Sequence, residues 1–458
     1  MNSFEKYILI VSILTSFFVA FLSSGVLVMV PSLAVEFGMN DIAQNWVSMI
    51  YLLAFAIMTV PAGQLSGKFG LKKSMFVGTI IFTLISVVSI FSISQEMFLI
   101  CRLIQGLCRG LVNVASLAMV VSAFNPKDRG QAIGFNSIGL YLATALSSPI
   151  AGFLNTEFGW QSIFYVSIPF LIICILLIFR INNEWATFAD NSLDIKGSIR
   201  YAIGIIFFIV GFTMLNEPIG IVLTVIGLIF IAYFAFKELK VKYPVFNVRL
   251  FKNPKFTASN IAALTSYLAT FAITTIINYY LQYIRGMDSG QAGLILLITP
   301  LLQVIVAPIA GKLSDRFYPQ LISLVGIIFA AIGVAMISFT DATTPLPLLM
   351  FAMGLQGFGF GLFAAPNTSV IMGSVQPEET PNASASVILM RVIGQSLSLG
   401  IFTLVISSIM GKVPIIPEYY PQLLTSCQVA AGICATACIV CAIAVFVGFK
   451  SKGYYDKG

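Results

Sequence analysis

The sequence predicts an all-α polytopic membrane protein of fourteen transmembrane helices, two groups of six with an additional pair between them. Three observations carry that prediction. Of the 458 residues, 58% are apolar or aromatic and only 9% are charged, against about a quarter charged in a soluble domain. So few charges could not cover the surface of a soluble fold of this size. The apolar residues lie in continuous runs of about 20, the length that crosses a bilayer, and the lack of alternation excludes a β-barrel. Finally, a short polar string that follows the second run returns after the tenth.

Taken in order, the runs fall near residues 7–30, 44–66, 74–93, 97–122, 131–154 and 162–180. A middle pair follows near 198–215 and 219–236, split by Asn216, Glu217 and Pro218. Six more lie near 256–284, 291–311, 321–340, 346–372, 383–410 and 425–449. The first run follows a short, weakly charged start with no clear cleavage site, so it is expected to be a span and not a signal peptide. An even number of spans places both termini on one side. With that side cytoplasmic, the inward segments sum to +10 and the outward ones to −6, and three arginines inside spans complete the net +7. The inward cations include Lys68, Lys72, Lys73, Lys127, Arg129, Lys312, Arg316, Lys450, Lys452 and Lys457, with a dense run from Lys237 to Lys255. That asymmetry is the positive-inside pattern of a multi-pass protein of the cell membrane with cytoplasmic termini. The basic character therefore reports topology, and a nucleic-acid partner is excluded.

The returning string reads Gly63-Gln64-Leu65-Ser66-Gly67-Lys68-Phe69-Gly70 in its first copy and Gly311-Lys312-Leu313-Ser314-Asp315-Arg316-Phe317 in its second. Its position after matching spans divides the chain into residues 1–185, 186–245 and 246–458. These are expected to be a six-helix bundle, two further helices with their linkers, and a second six-helix bundle. Duplicated halves of this kind are common in secondary transporters.

On these strings the chain resembles the major facilitator superfamily, and within it the fourteen-span drug:proton antiporters that include multidrug and tetracycline exporters. Gly63 to Lys73 resembles the family's loop motif, Arg102, Gln105 and Gly106 its fourth-span motif, and Phe251-Lys252-Asn253 with Phe256 the lead into the ninth span. Gly354, Gly357, Gly359 and Pro366, then Arg391 and Gly394, continue the likeness through the twelfth and thirteenth spans. The fifth-span antiporter motif survives as a degraded copy around Pro149 and Gly152. The resemblance implies the major facilitator fold and alternating access, two bundles rocking about a central cavity. It also implies export of amphipathic small molecules, coupled to protons.

Conformational roles then attach to the two loop copies. Asp315 can accept from a nearby helix N-terminus while Arg316 reaches a neighbouring helix, a clasp that would latch one conformation. The other reading is an ordinary charged turn. In the first copy the acidic position is Gly67, so a symmetric pair of latches is not available. Gly63 and Gly70 belong to that first turn, while Gly134, Gly139, Pro149 and Gly152 allow close approach and bending in the fifth span.

The charges inside spans are the strongest functional candidates, because a mid-bilayer charge is costly unless it faces protein or water. They are Arg102, Arg109 and Arg391. Arg102, Arg109 and Asn113 share one helix face by their spacing. The resemblance makes Arg102 structural, and Arg391 is grouped with it. Arg109 is either a cavity residue meeting substrate or counter-ion, or a packed hydrogen-bonding group. Further cavity candidates are Phe21, Tyr51, Asn136, Tyr141, Tyr267, Phe271, Gln303, Gln356 and Asn367. No Asp or Glu falls well inside a span and the chain has no His. A buried carboxylate or imidazole for proton coupling is therefore missing, and Glu36 and Asp288, near outer ends, are the conditional candidates for it. A cavity with arginines and no acids favours anionic or neutral amphiphiles over cations. The second functional reading is accordingly an exchanger or uniporter of an anionic metabolite or lipid-like anion.

Other classes fall away. Without His, and with 7 cysteines of which three recur at helical spacing in the last run, no metal site or cofactor is expected. No nucleophile–base pair suggests an enzyme, and no nucleotide motif suggests ATP-driven transport. The cavity would lie within one chain, so a monomer is expected.

Overall fold

The computed structural model describes residues 2–187, 192–411 and 417–451. Lys452 and Lys457 lie outside the described residues. All fourteen expected spans are present as helices long and apolar enough to cross a membrane. Sixteen helices are described: α1 (Ser3–Val28), α2 (Val30–Phe37), α3 (Asp41–Phe69), α4 (Leu71–Ile90), α5 (Gln95–Ala123), α6 (Arg129–Phe158), α7 (Ser162–Phe179), α8 (Ile195–Thr213), α9 (Pro218–Glu238), α10 (Pro254–Tyr279), α11 (Ser289–Leu296), α12 (Ile298–Ser314), α13 (Pro319–Ser338), α14 (Leu346–Gly373), α15 (Thr380–Ile409) and α16 (Tyr420–Lys450). The first span is α1 extended by α2, and the tenth is α11 with α12.

Local chemistry sets these boundaries. Pro31 lacks the N–H that would continue α1, so the helix ends at Met29, whose own N–H bonds Val26 O at 3.0 Å. Side-chain caps open several helices: Asn2 and Glu5 form a reciprocal capping box on α1, Asn40 accepts from Ala43 N at 2.8 Å, and Ser94 accepts from Met97 N at 3.2 Å. Helices run past the apolar stretches into polar turns, because a lysine or arginine near the membrane surface stays helical while its head reaches water.

Two apolar cores form, one among residues 8–181 and one centred on residues 262–445. A third cluster joins α3, α5 and α15 to the α8–α9 pair. Glycines let α8 and α9 approach backbone to backbone, with a Cβ at Gly227 meeting Phe208 Cα at 2.6 Å. Tyr201 of this pair donates to Ala56 O of α3 at 2.8 Å, and the Phe212 ring lies against Gly400 of α15. The additional pair therefore covers the seam between α3 and α15.

At the face bearing both described chain ends, here the terminal face, the two six-helix groups are packed closely. A Cβ at Gly134 of α6 would stand 2.5 Å from Ala307 O of α12, and one at Gly63 of α3 would stand 3.1 Å from Ala385 Cβ of α15. Toward the opposite face α11 still meets α6, with open space beside both helices. Gly152 of α6 and Gly293 of α11 have nothing within 4 Å of where a Cβ would lie. Gly152, expected to permit close helix approach, thus sits in open space, whereas Gly134 and Gly139 are true contact points, the latter against Ile13 O at 2.5 Å.

Candidate functional site

A cavity of about 40 Å³ lies between the two groups at the centre of the molecule. Its polar lining comes from Ser16 of α1, Asn113 of α5, Asn136 and Ser137 of α6, Thr368 of α14 and Arg391 of α15. Both groups of helices contribute, and no carboxylate is among the lining residues. The volume admits one or a few waters, so a larger ligand requires the helices to separate.

Arg391 is set by its neighbours on α10 and α14. Its Nε donates to Tyr267 Oη at 2.9 Å, and its guanidinium lies 5.3 Å from that ring's centre. Phe360 packs edge-on against Tyr267 at 5.2 Å and against Tyr141 at 6.4 Å, bringing three rings from three helices beside the cation. Phe271, four residues beyond Tyr267 on α10, is exposed and continues that face away from the terminal face.

Arg102 and Arg109 do share a helix face, as their spacing requires, and the face is turned to Tyr51. The Tyr51 ring is held between them, 4.0 Å from the Arg102 guanidinium carbon and 5.6 Å from that of Arg109. Arg102 is fully buried, donating to Val47 O at 3.3 Å and Gln105 Oε1 at 3.1 Å, while Gln105 bonds Ser86 Oγ at 3.1 Å. That network ties α3, α4 and α5 together. Arg109 donates to Tyr51 Oη at 3.4 Å, stacks 4.7 Å from the Phe55 ring, and keeps its Nε without a partner among the described residues. Tyr51 in turn bonds Ser23 of α1. Arg109 is therefore packed into the first group, one turn along α5 from the cavity residue Asn113.

The remaining candidates disperse. Phe21 is buried and stacked on Phe17 at 5.6 Å. Asn367 is buried and donates to Ser259 O at 2.9 Å, a tie between α14 and α10. Gln356 is buried with its backbone against Gly333 of α13, and Gln303 lies beside Gly361 of α14. Near the face opposite the chain ends, Glu36 accepts from the Trp160 indole, and Asp288 caps α11 through Gln291 N at 2.9 Å. Pro149 lies inside α6 without ending it.

Asp315 follows α12 at the terminal face and accepts from Gly130 N at 2.7 Å and Gln131 N at 2.8 Å, the first amides of α6. Burial pushes its carboxyl up from the usual carboxylate range, against the pull of those two amides. Arg316 is exposed, its backbone N–H bonds Leu313 O at 3.0 Å, and its side chain makes no hydrogen bond or ion pair among the described residues. In the first loop copy, Gly70 adopts φ +102, a conformation that suits glycine. There Glu184 accepts from Lys72 N at 2.9 Å and Lys73 N at 3.1 Å, capping α4 from the strand of chain after α7.

Sequence reasoning did not anticipate Glu184, Ser16, Ser137 or Thr368, and it grouped Arg391 with the structural residues. The signal for Arg391 was its charge inside a span. For Ser137 it was a place beside Asn136 on α6.

The sequence pattern of the Major Facilitator Superfamily matches residues 12–239 and 260–454. The chain is 27% identical over 403 residues to the riboflavin transporter RibZ of Clostridioides difficile (strain 630), covering 87% of this chain and 88% of that protein. It is 25% identical to the multidrug resistance protein Stp of Mycobacterium tuberculosis (strain CDC 1551 / Oshkosh), over 83% of this chain and 72% of that one. Its fold superimposes on the human organic anion transporter MFSD10 (TETRAN) with a TM-score of 0.71 at 13% identity, covering 97% of this chain and 100% of that structure.

Proposed function

The chain belongs to the Major Facilitator Superfamily, and from that premise we propose that it exports neutral or anionic amphipathic small molecules across the cell membrane. Membership makes it a multi-pass secondary transporter and not an enzyme. The finer reading rests on one observation: Arg391 lines the central cavity with amide and hydroxyl side chains and no carboxylate. A cation there would meet like charge with no counter-charge, whereas an anion or polarised oxygen would meet a donor already oriented by Tyr267. The aromatic group of Tyr141, Tyr267 and Phe360 supplies the apolar contact that an amphiphile needs. Among the relatives, a riboflavin transporter and a multidrug resistance protein are in keeping with planar or amphipathic cargo.

With both termini read as cytoplasmic, the Asp315 seam closes the cytoplasmic side, the arrangement expected of an outward-facing state. We read the α8–α9 pair, between boundaries near 185 and 245, as an accessory to two rocking bundles in a monomer. The fourteen-span antiporter branch supplies a proton as the expected coupling ion. Glu36 and Asp288 are engaged in structural hydrogen bonds, so an anionic substrate has a second source of drive. Outward movement of one negative charge gains about 2.3 kcal/mol per 100 mV of interior-negative potential.

Transport in proteoliposomes tests this reading. Efflux of an anionic amphiphile should exceed that of a size-matched cation and fall at least tenfold in Arg391→Gln, with partial recovery in Arg391→Lys. Cation efflux that is indifferent to Arg391→Gln would overturn it and return the chain to cationic multidrug export.

A further inference from the structure

A second, larger cavity of about 300 Å³ opens at the terminal face. Its walls come from three parts of the chain: Gln64 and Lys68 of α3, Lys242 and Arg249 of the segment after α9, and Glu379 and Asn382 at the start of α15. We propose that this cavity binds a phosphate group, as the free ion or as the monoester of a lipid headgroup, and that the bound group holds the terminal face closed.

The charge balance points to an anion. Three cations face one carboxylate, and both Glu379 oxygens are already occupied, by Asn247 Nδ2 at 2.7 Å and Asn382 Nδ2 at 2.6 Å. Lys68 and Lys242 have only ring neighbours, Phe69 at 5.9 Å and Tyr243 at 5.1 Å, and form no ion pair among the described residues. Arg249 commits one nitrogen, to Leu239 O at 2.8 Å. Asn382 is 4% exposed, and its Oδ1 has no donor among the described residues. The hydroxyl of a singly protonated phosphate would supply one.

The repeat explains why the place needs an anion. In the second loop copy, Asp315 caps the N-terminus of α6 across the bundle seam. The matching residue in the first copy is Gly67, and the matching helix is α15, whose N-cap residue Glu379 makes no side-chain cap bond. A helix start with adjacent lysines favours phosphate. Here the anion would stand where the other seam has a carboxylate. Because the walls belong to both bundles and their connector, occupancy would favour the closed arrangement. The cations could otherwise be plain membrane-surface decoration, and that alternative predicts no saturable site.

The test uses purified full-length protein and its thermal midpoint. Inorganic phosphate, titrated against chloride at equal ionic strength, should raise the midpoint saturably. Nanodiscs containing phosphatidic acid, compared with phosphatidylcholine alone, report a lipid source. The double variant K68Q/R249Q should weaken the effective phosphate source at least tenfold, while Lys73→Gln, on the same face outside the cavity, should not. Gly67→Asp, which supplies the missing carboxylate, should abolish the phosphate effect as well. A shift with soluble phosphate assigns the free ion, and one only in phosphatidic acid discs assigns the headgroup. No shift beyond chloride and neutral lipid, or equal shifts in wild type and K68Q/R249Q, would overturn the proposal. Arg391→Gln should leave the effect intact, so failure of the substrate reading is separable from failure here.

Discussion

Removing the Asp315 side chain should open the terminal face. Asp315 spans the seam through two hydrogen bonds, to Gly130 N and Gln131 N, and each is worth about 1 kcal/mol net. When the face opens, those amides gain water, so Asp315→Ala should cost the closed state about 2 kcal/mol, roughly a 30-fold shift in the open-to-closed ratio. Asp315→Asn keeps one acceptor oxygen and should cost about 1 kcal/mol, roughly fivefold. Cysteines at Gly152 and Gly293 have open space for spin labels, and the seven native cysteines are all buried. Pulsed electron spin resonance between these labels should give one long distance in wild type, with a second, shorter population that grows from Asn to Ala. An unchanged distribution in Asp315→Ala would refute the latch. So would equal effects of Asp315→Ala and Arg316→Gln, since the Arg316 side chain makes no hydrogen bond or ion pair across the seam among the described residues.

Other consequences can be checked alongside. Protonation follows from the raised Asp315 carboxyl: the closed state binds the proton more readily than a solvated open state. Its advantage is therefore present at low pH and lost as pH rises through the closed-state value, and Asp315→Asn should remove that dependence from the label distances. Gly134→Val places atoms against Ala307 O and should shift the same distances as Asp315→Ala does. Arg102→Ala leaves Val47 O, Gln105 and the Tyr51 ring without their partner; a loss of about 2–4 kcal/mol should make its thermal midpoint the lowest of the three arginine variants. Glu184→Gln weakens the α4 cap by about 1 kcal/mol and should lower stability without moving the labels.

Much of the fold was legible because hydrophobic length is a local property. Each span announces itself in about 20 consecutive residues, and a proline such as Pro31 marks a break by its missing N–H. The Asp315 contact with the start of α6 was legible for a related reason: an acid at a repeated turn position has a helix start as its natural partner. Tertiary partners were harder to read. Glu184 lies more than a hundred residues from the amides it caps, and nothing in its own neighbourhood signals α4. The arginines show the same limit. Charge inside a span identified Arg102, Arg109 and Arg391 as special, and spacing put the first two on one face. Whether that face meets Tyr51 or the cavity depends on the rotation of α5 against α3, which spacing within α5 does not contain. Hence Arg109 is packed on Tyr51 and Phe55, while Arg391 lines the cavity.

The most direct test of the arginine-lined cavity is the thermal midpoint of the purified protein against matched anionic, neutral and cationic amphiphiles, in wild type, Arg391→Gln and Arg109→Ala. Stabilisation by the anionic and neutral members, lost in Arg391→Gln and retained in part in Arg109→Ala, is the predicted result. Stabilisation by the cation alone, unchanged in Arg391→Gln, would contradict it.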